Sequence, residues 1–242
     1  MDIRNKVLMD REGLEKNGPI TIVAFGDSVT HGAVGDGEMD YESVYWNRLR
    51  LMINEAYPYV PVNVINAGIG GITAKLSLGR FDKQVLSHDP DLVIVCFGLN
   101  DVNGPLEDFL IALEEIFRRC VTRNIETVYM TPNMLNTYVR EGEVAEQHLK
   151  YAAKTAELQS SGRMDTFMEK SADLARHMGV TVCDCYSRWK ELSLTQDTTL
   201  LLANRINHPI REMHQLFADE LYRVIFPDRS QAADESTMYE EK

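Results

Sequence analysis

Five short and nearly continuous apolar runs recur along the chain. They are ITIVAFG (20–26), VNVINAG (62–68), DLVIVCFG (91–98), ETVYMTP (126–132) and VTVCD (180–184). Apolar runs with little polar alternation mark strands covered on both faces, so each run is read as a strand of a buried parallel sheet. Between them the apolar positions recur at every third or fourth residue. Residues 41–57 place Val44, Leu49, Met52, Ile53 and Ala56 on one face, and 104–124 does the same with Leu106, Phe109, Leu110, Leu113, Ile116, Phe117 and Cys120. Pro105 at the start of that stretch and Arg118, Arg119 and Arg123 at its end fit the polarity of a helix. Two further helices are predicted over 164–179, closed by Gly179, and over 209–226, where Pro209 suits a first turn.

Strand alternating with helix implies βαβ crossovers and an α/β fold: a three-layer, flavodoxin-like sandwich around a five-stranded parallel sheet. A single domain over 1–228 accounts for the pattern, with no internal repeat and no linker rich in Gly, Pro or Ser. Residues 134–163 exceed what a strand-to-helix link needs, and they leave from the C-terminal end of a strand, the edge on which such sheets hold ligands. They are read as an insertion beside that edge. The tail, 229–242, is acidic and poor in apolar residues and is expected to be disordered.

Composition narrows the partners. The 242 residues carry a formal charge of -12, which disfavours nucleic-acid binding and anionic membrane surfaces. No run approaches the ~18 apolar residues of a spanning helix, and the charged N-terminus is not a signal peptide, so no membrane insertion and a cytoplasmic location are expected. Cys96, Cys120 and Cys183 sit in apolar surroundings, and Cys183 with Cys185 forms a lone C-x-C without the second pair of a zinc site. No metal is expected.

In a parallel sheet the C-terminal ends of all strands open on one side. Here those ends read Gly26-Asp27-Ser28, then Asn66-Ala67-Gly68-Ile69-Gly70-Gly71, then Gly98-Leu99-Asn100-Asp101. Each is weak taken singly. A serine after a strand is usually a turn or N-cap residue, glycine clusters serve tight turns, and Asn-Asp is turn chemistry. Thr30 occupies the position at which a G-x-S-x-G elbow needs glycine, so Ser28 is not the nucleophile of an α/β-hydrolase. Nor does NAGIGG complete a nucleotide-binding G-x-G-x-x-G. Among the histidines, His88 and His177 read as structural, and His148 and His214 as surface or packing residues. His31 lies too close in sequence to Ser28 to be the preferred base. His208 differs: it sits in NRINHPIREMH, in the loop after the fifth strand, which can carry an imidazole over the strand ends.

Taken together, FGDSVTHG, NAGIGGIT, GLND and RINHP resemble, in order and spacing, the motif blocks of the SGNH hydrolases, the GDSL esterases and lipases. The resemblance covers 20–226 and implies a serine-dependent hydrolase of carboxylic esters that needs no cofactor and acts on a small-molecule ester. It implies Ser28 as nucleophile, His208 as base, and an oxyanion hole from the Ser28 N–H, the Gly71 N–H (Gly70 if the register shifts) and the Asn100 amide. Asp27 and Asp101 are expected to hold the loops. The sequence departs from the family at one place. The supporting aspartate belongs three residues before the histidine, and Arg205 stands there; a guanidinium accepts no hydrogen bond from an imidazole.

Three readings of that departure stand side by side: orientation of His208 by Asn204 or a backbone carbonyl, an acid such as Asp197 from the preceding loop, or a site that binds without turnover. The insertion and residues 31–40 are expected to shape the substrate pocket. The competing functions are a carbohydrate-binding module, a lysophospholipase-like acylhydrolase and a flavin or nucleotide carrier.

Overall fold

The computed structural model describes residues 2–35 and 37–227. The acidic tail therefore lies outside the described residues. Five parallel strands form one sheet: β1 (Ile20–Gly26), β2 (Val62–Gly68), β3 (Leu92–Cys96), β4 (Glu126–Met130) and β5 (Thr181–Cys183). Their spatial order is β2-β1-β3-β4-β5, the flavodoxin-like winding expected from the alternating pattern. The apolar runs foretell the strands but overstate the last three. Residues 91, 97–98, 131–132, 180 and 184 lie outside the strands.

Before the sheet come two short helices, α1 (Ile3–Lys6) and α2 (Arg11–Asn17). After β1 follow α3 (Ser28–His31) and α4 (Tyr45–Ala56). The remaining helices are α5 (Ala74–Ser77), α6 (Phe81–Gln84), α7 (Leu106–Val121), α8 (Leu149–Ser160), α9 (Arg163–His177), α10 (Cys185–Leu192) and α11 (Met213–Ile225). One row of helices sets α4 against α11, with contacts to β2 and β5; the other sets α7 beside α5 and α9, with contacts to β4 and β5. The predicted helix over 41–57 starts later, at Tyr45, because Asp40 accepts hydrogen bonds from the N–H groups of Glu42 and Ser43 and holds that stretch in a turn. The core is continuous through Phe25, Phe81 and Phe97, whose rings meet edge to face, and all five strands contribute to it.

Close approach at the C-terminal edge depends on two glycines paired across β1 and β2, Gly26 and Gly68. A Cβ on Gly68 would stand 2.3 Å from the His31 backbone nitrogen, and one on Gly26 would stand 2.2 Å from Thr30 Oγ1. Neither contact is sterically tolerable, so hydrogen in place of a side chain lets α3 lie directly on the sheet. At the opposite edge the buried ammonium of Lys6 donates to both Asp91 oxygens at 2.8 Å, and Asp91 also accepts from the Thr21 N–H. That ion pair fastens α1 beneath β1 and β3.

Candidate active site

Ser28 is the first residue of α3, immediately beyond β1. Asp27 caps this single turn, its Oδ1 accepting from the Val29 N–H at 3.1 Å, and Gly32 ends it in the left-handed region at φ 107°. The four-residue helix thus turns the chain sharply and leaves Ser28 at the sheet edge. Asp27 is fully buried, and desolvation pushes its carboxyl up to about 7; the Val29 N–H opposes the shift and the nearby Asp101 reinforces it. Asp101 is itself raised to about 6 by burial, while its oxygens accept from the N–H groups of Ala74 and Gly98. Both aspartates therefore tie loops together, Asp27 within the first turn and Asp101 between the second and third.

His208 reaches this edge from the far end of the chain. Its Nε2 lies 3.0 Å from Ser28 Oγ across 180 residues of sequence. The loop that carries it is stiffened from within. Asn204 Oδ1 accepts from the N–H groups of Ile206, Asn207 and His208, and Asn204 Nδ2 donates to Asn207 Oδ1. The Ala203 N–H donates to the His208 carbonyl at 2.7 Å. Asn204 thus holds the backbone of the histidine rather than its ring. Arg205 adopts φ 56° and turns outward, donating to the carbonyls of Leu200 and Leu202 and pairing with Glu143. Asp197 is engaged elsewhere: one oxygen accepts from the Thr199 N–H and the other from the Tyr138 hydroxyl at 2.6 Å.

Gly70, Gly71, Asn100 and His208 line one cleft with Ser28, of about 750 Å³. Gly71 has φ 74°, a conformation that favours glycine, and a Cβ there would meet nothing within 4 Å. Asn100 Nδ2 donates to Ile72 O at 3.1 Å and, more weakly, to Asp27 Oδ2 at 3.4 Å. The cleft walls come from the two segments expected to shape it. One wall holds Ala33, Gly35, Gly37, Glu38 and Met39; Arg211 binds Asp40 at 2.6 Å and also Glu38, fixing that wall to the start of α11. The other wall holds Gln147, His148 and Tyr151, from the 134–163 insertion.

Several residues at this site escaped the sequence reading. His148, taken for a surface or packing residue, faces the cleft, because the turn 146–148 brings the start of α8 over the sheet edge. Arg80 is a second residue that sequence pattern does not mark. Its guanidinium lies over the Phe25 ring at 4.5 Å and donates to the carbonyls of Ala67 and Gly26, joining the ends of β2 and β1, and burial lowers it to about 10. A lone arginine between helical apolar positions carries no signal of such a task. His31 lines the cleft but is directed to it from the end of α3. His214 is a packing residue. Buried and stacked on Tyr45, it accepts from the Tyr45 N–H, and desolvation lowers it to about 3.

A sheet wound in this order, with a serine–imidazole contact over its C-terminal edge, defines a flavodoxin-like α/β scaffold with a candidate active site at that edge. The chain belongs to the GDSL-like lipase/acylhydrolase family, whose model matches residues 24–216. It is 33% identical over 89 residues to an uncharacterized lipoprotein, YqeF, of Bacillus subtilis, and 28% identical over 93 residues to an acetylxylan esterase of Geobacillus stearothermophilus. These matches take in 37% and 34% of this chain, and 35% and 39% of the two curated relatives, so the similarity spans little more than a third of their length.

Among solved structures, the Geobacillus acetylxylan esterase superposes with a TM-score of 0.67 at 19% identity, over 86% of this chain and 94% of the other. A lipase/acylhydrolase from Enterococcus faecalis superposes with a TM-score of 0.65 at 24% identity, over 85% and 95%. These likenesses are of fold. Variants of the Geobacillus enzyme described as catalytic mutants replace a serine, an aspartate and a histidine, the last two three positions apart. Among the described residues, no helix is long and apolar enough to cross a membrane.

Proposed function

We propose that this protein is a serine ester hydrolase that works through an acyl-enzyme on Ser28 with His208 as general base. The 3.0 Å contact between His208 Nε2 and Ser28 Oγ carries this reading. A serine hydroxyl is a weak nucleophile until a base at that distance takes its proton. Ser28 Oγ attacks the ester carbonyl carbon as its proton passes to Nε2. The oxyanion meets the Ser28 and Gly71 N–H groups and the Asn100 amide, whose long hydrogen bond to Asp27 is the one most readily exchanged. Collapse breaks the carbon–oxygen bond to the alcohol, which leaves with the proton from the imidazolium. His208 then deprotonates a water that attacks the acyl carbonyl, and Ser28 is released with the carboxylic acid. The scheme calls for no metal or cofactor.

Arg205 offers the imidazolium no carboxylate. Esters therefore suit the site better than amides, since an alkoxide needs less protonation to depart. The cleft favours a small acyl group on a neutral, hydroxyl-bearing alcohol. Amide side chains of Asn100, Asn103, Gln147, Asn204 and Asn207 line it, with Ala33, Met39 and Ile206 as isolated apolar patches and Glu38 already paired with Arg211. A carbohydrate acetate has that character, and the acetylxylan esterase similarity points the same way. Free, buried thiols at all four cysteines suit the reducing cytoplasm.

Hydrolysis of p-nitrophenyl acetate, of longer-chain esters and of acetylated sugars by wild type, Ser28→Ala and His208→Ala tests the reading. Short-chain turnover reduced to a small residual rate, by about 10³-fold or more, is expected in both variants. Retained activity in His208→Ala removes it as the base, and preference for long chains would point to a lipid acylhydrolase instead.

A further inference from the structure

We propose that Asn133 is a positioning residue for the general base, supplying from β4 part of the mechanical hold that Arg205 does not supply from the His208 loop. The proposal rests on the esterase reading above. Asn133 lies in the segment leaving β4 and is fully buried. Its Nδ2 donates to Met134 O at 2.8 Å and to Asn207 O at 2.9 Å. The second bond ends on the peptide unit that joins Asn207 to His208. Among the described residues its Oδ1 has no hydrogen-bond partner. A buried amide with an unsatisfied oxygen is costly, so the side chain is placed for what its nitrogen donates.

The next residues of this segment act on the same loop. The Asn136 N–H donates to Ile206 O at 2.9 Å, so the two carbonyls that precede His208 are both held from the β4 exit. The Asn136 side chain is locked in turn: its Oδ1 accepts from Thr155 Oγ1 at 2.6 Å, and its Nδ2 donates to Ala152 O at 3.0 Å, both on α8. Gln159, also on α8, accepts from the Leu135 N–H. The strut therefore runs from α8, which begins at the cleft wall, through 133–136 to the base. Asn204 accepts from the N–H groups of Ile206, Asn207 and His208, so the peptides leading into His208 are held through their carbonyls by Asn136 and Asn133 and through their N–H groups by Asn204. A triad carboxylate orients an imidazole and also stabilises its charged form. The peptide clamp fixes the backbone from which the imidazole projects and carries no charge to stabilise it.

The test measures kcat, KM and thermal unfolding of Asn133→Ala in the wild-type and His208→Ala backgrounds, with p-nitrophenyl acetate as substrate. Displacement of a base by ~1 Å costs on the order of 10²-fold. A fall in kcat of about 10- to 100-fold is expected in the wild-type background, with KM changed by less than about threefold. In the His208→Ala background the substitution is expected to change kcat by less than about twofold, because there is no base left to misplace. A merely structural role lowers activity by the same factor in both backgrounds, and that result overturns the proposal. So does an unchanged kcat. Asn133→Ser, smaller and still polar, serves if the alanine variant does not fold, and the same two outcomes decide. An active wild type with an insensitive Asn133 refutes this inference alone, whereas an inactive wild type whose Ser28 takes no fluorophosphonate removes the esterase reading beneath it.

Discussion

Replacing Asp27 by Asn should change how stability depends on pH, and the structure sets the size of the change. Burial raises the Asp27 carboxyl from 3.8 to about 7, so the folded chain holds this proton more tightly than the unfolded chain does. Between about pH 4 and pH 7 the native state binds more protons at this group, and stability falls as pH rises. Roughly three pKa units at about 1.4 kcal/mol each give about 4 kcal/mol of stability present at pH 4 and lost by pH 7.5. His214 works in the opposite sense. Held down to about 3, it makes the native state reluctant to take a proton, so its contribution grows as pH rises from 3 to 6.5. Asp101, raised to about 6, acts in the same sense as Asp27, so the wild-type curve blends all three, and the difference between wild type and variant isolates Asp27.

Asparagine keeps the N-cap, since its Oδ1 can still accept from the Val29 N–H, and it mimics the neutral acid. Urea unfolding of both proteins from pH 4 to 8 is the assay. Asp27→Asn should gain about 4 kcal/mol on wild type between pH 4 and 7.5 and level off above. A difference that stays flat across this range would falsify the assignment of a raised carboxyl to Asp27.

Other substitutions probe the scaffold and the loops. Asp91→Ala strips the partner from the buried Lys6 ammonium and should cost about 3–5 kcal/mol in urea unfolding; a loss below 1 kcal/mol would mean that Lys6 finds water instead. Gly68→Ala drives a Cβ into the His31 backbone and should lower both Tm and esterase activity, whereas Gly71→Ala, with open space around it, should strain only its own turn by about 1 kcal/mol while impairing kcat; equal effects of the two would contradict the packing described. Arg205→Ala should leave kcat within about threefold in an ester assay, since its guanidinium serves the carbonyls of Leu200 and Leu202. A hundredfold loss would give Arg205 a part in the chemistry.

Much of the fold is legible in the sequence because burial on both faces writes itself into a strand as an unbroken apolar run. Alternation and handedness limit the fold to right-handed βαβ windings of a parallel sheet, of which this chain adopts β2-β1-β3-β4-β5. The cleft residues of the loops after β1, β2 and β3 are also legible, since each follows directly on such a run. What escapes is set by contacts between distant segments. Nothing local in TPNMLN announces that Asn133 ends up beneath the His208 loop, or that the turn before α8 delivers His148 to the cleft. Arg80 is hidden for the same reason: its acceptors are backbone carbonyls, which leave no trace in residue type. The Arg205 departure is visible in the sequence, but its consequence is not. The structure engages the Asp197 carboxylate with Tyr138 and Thr199, and the Asn204 amide with backbone N–H groups.

The central claim, that His208 activates Ser28, is tested most directly by labelling with a fluorophosphonate probe, followed by intact-mass and peptide analysis. The account predicts one phosphonyl group on Ser28 in the wild type, none in Ser28→Ala, and labelling slowed by about 10²-fold or more in His208→Ala. Labelling of Ser28 at an undiminished rate without His208, or of Ser28→Ala as readily as wild type, would contradict it.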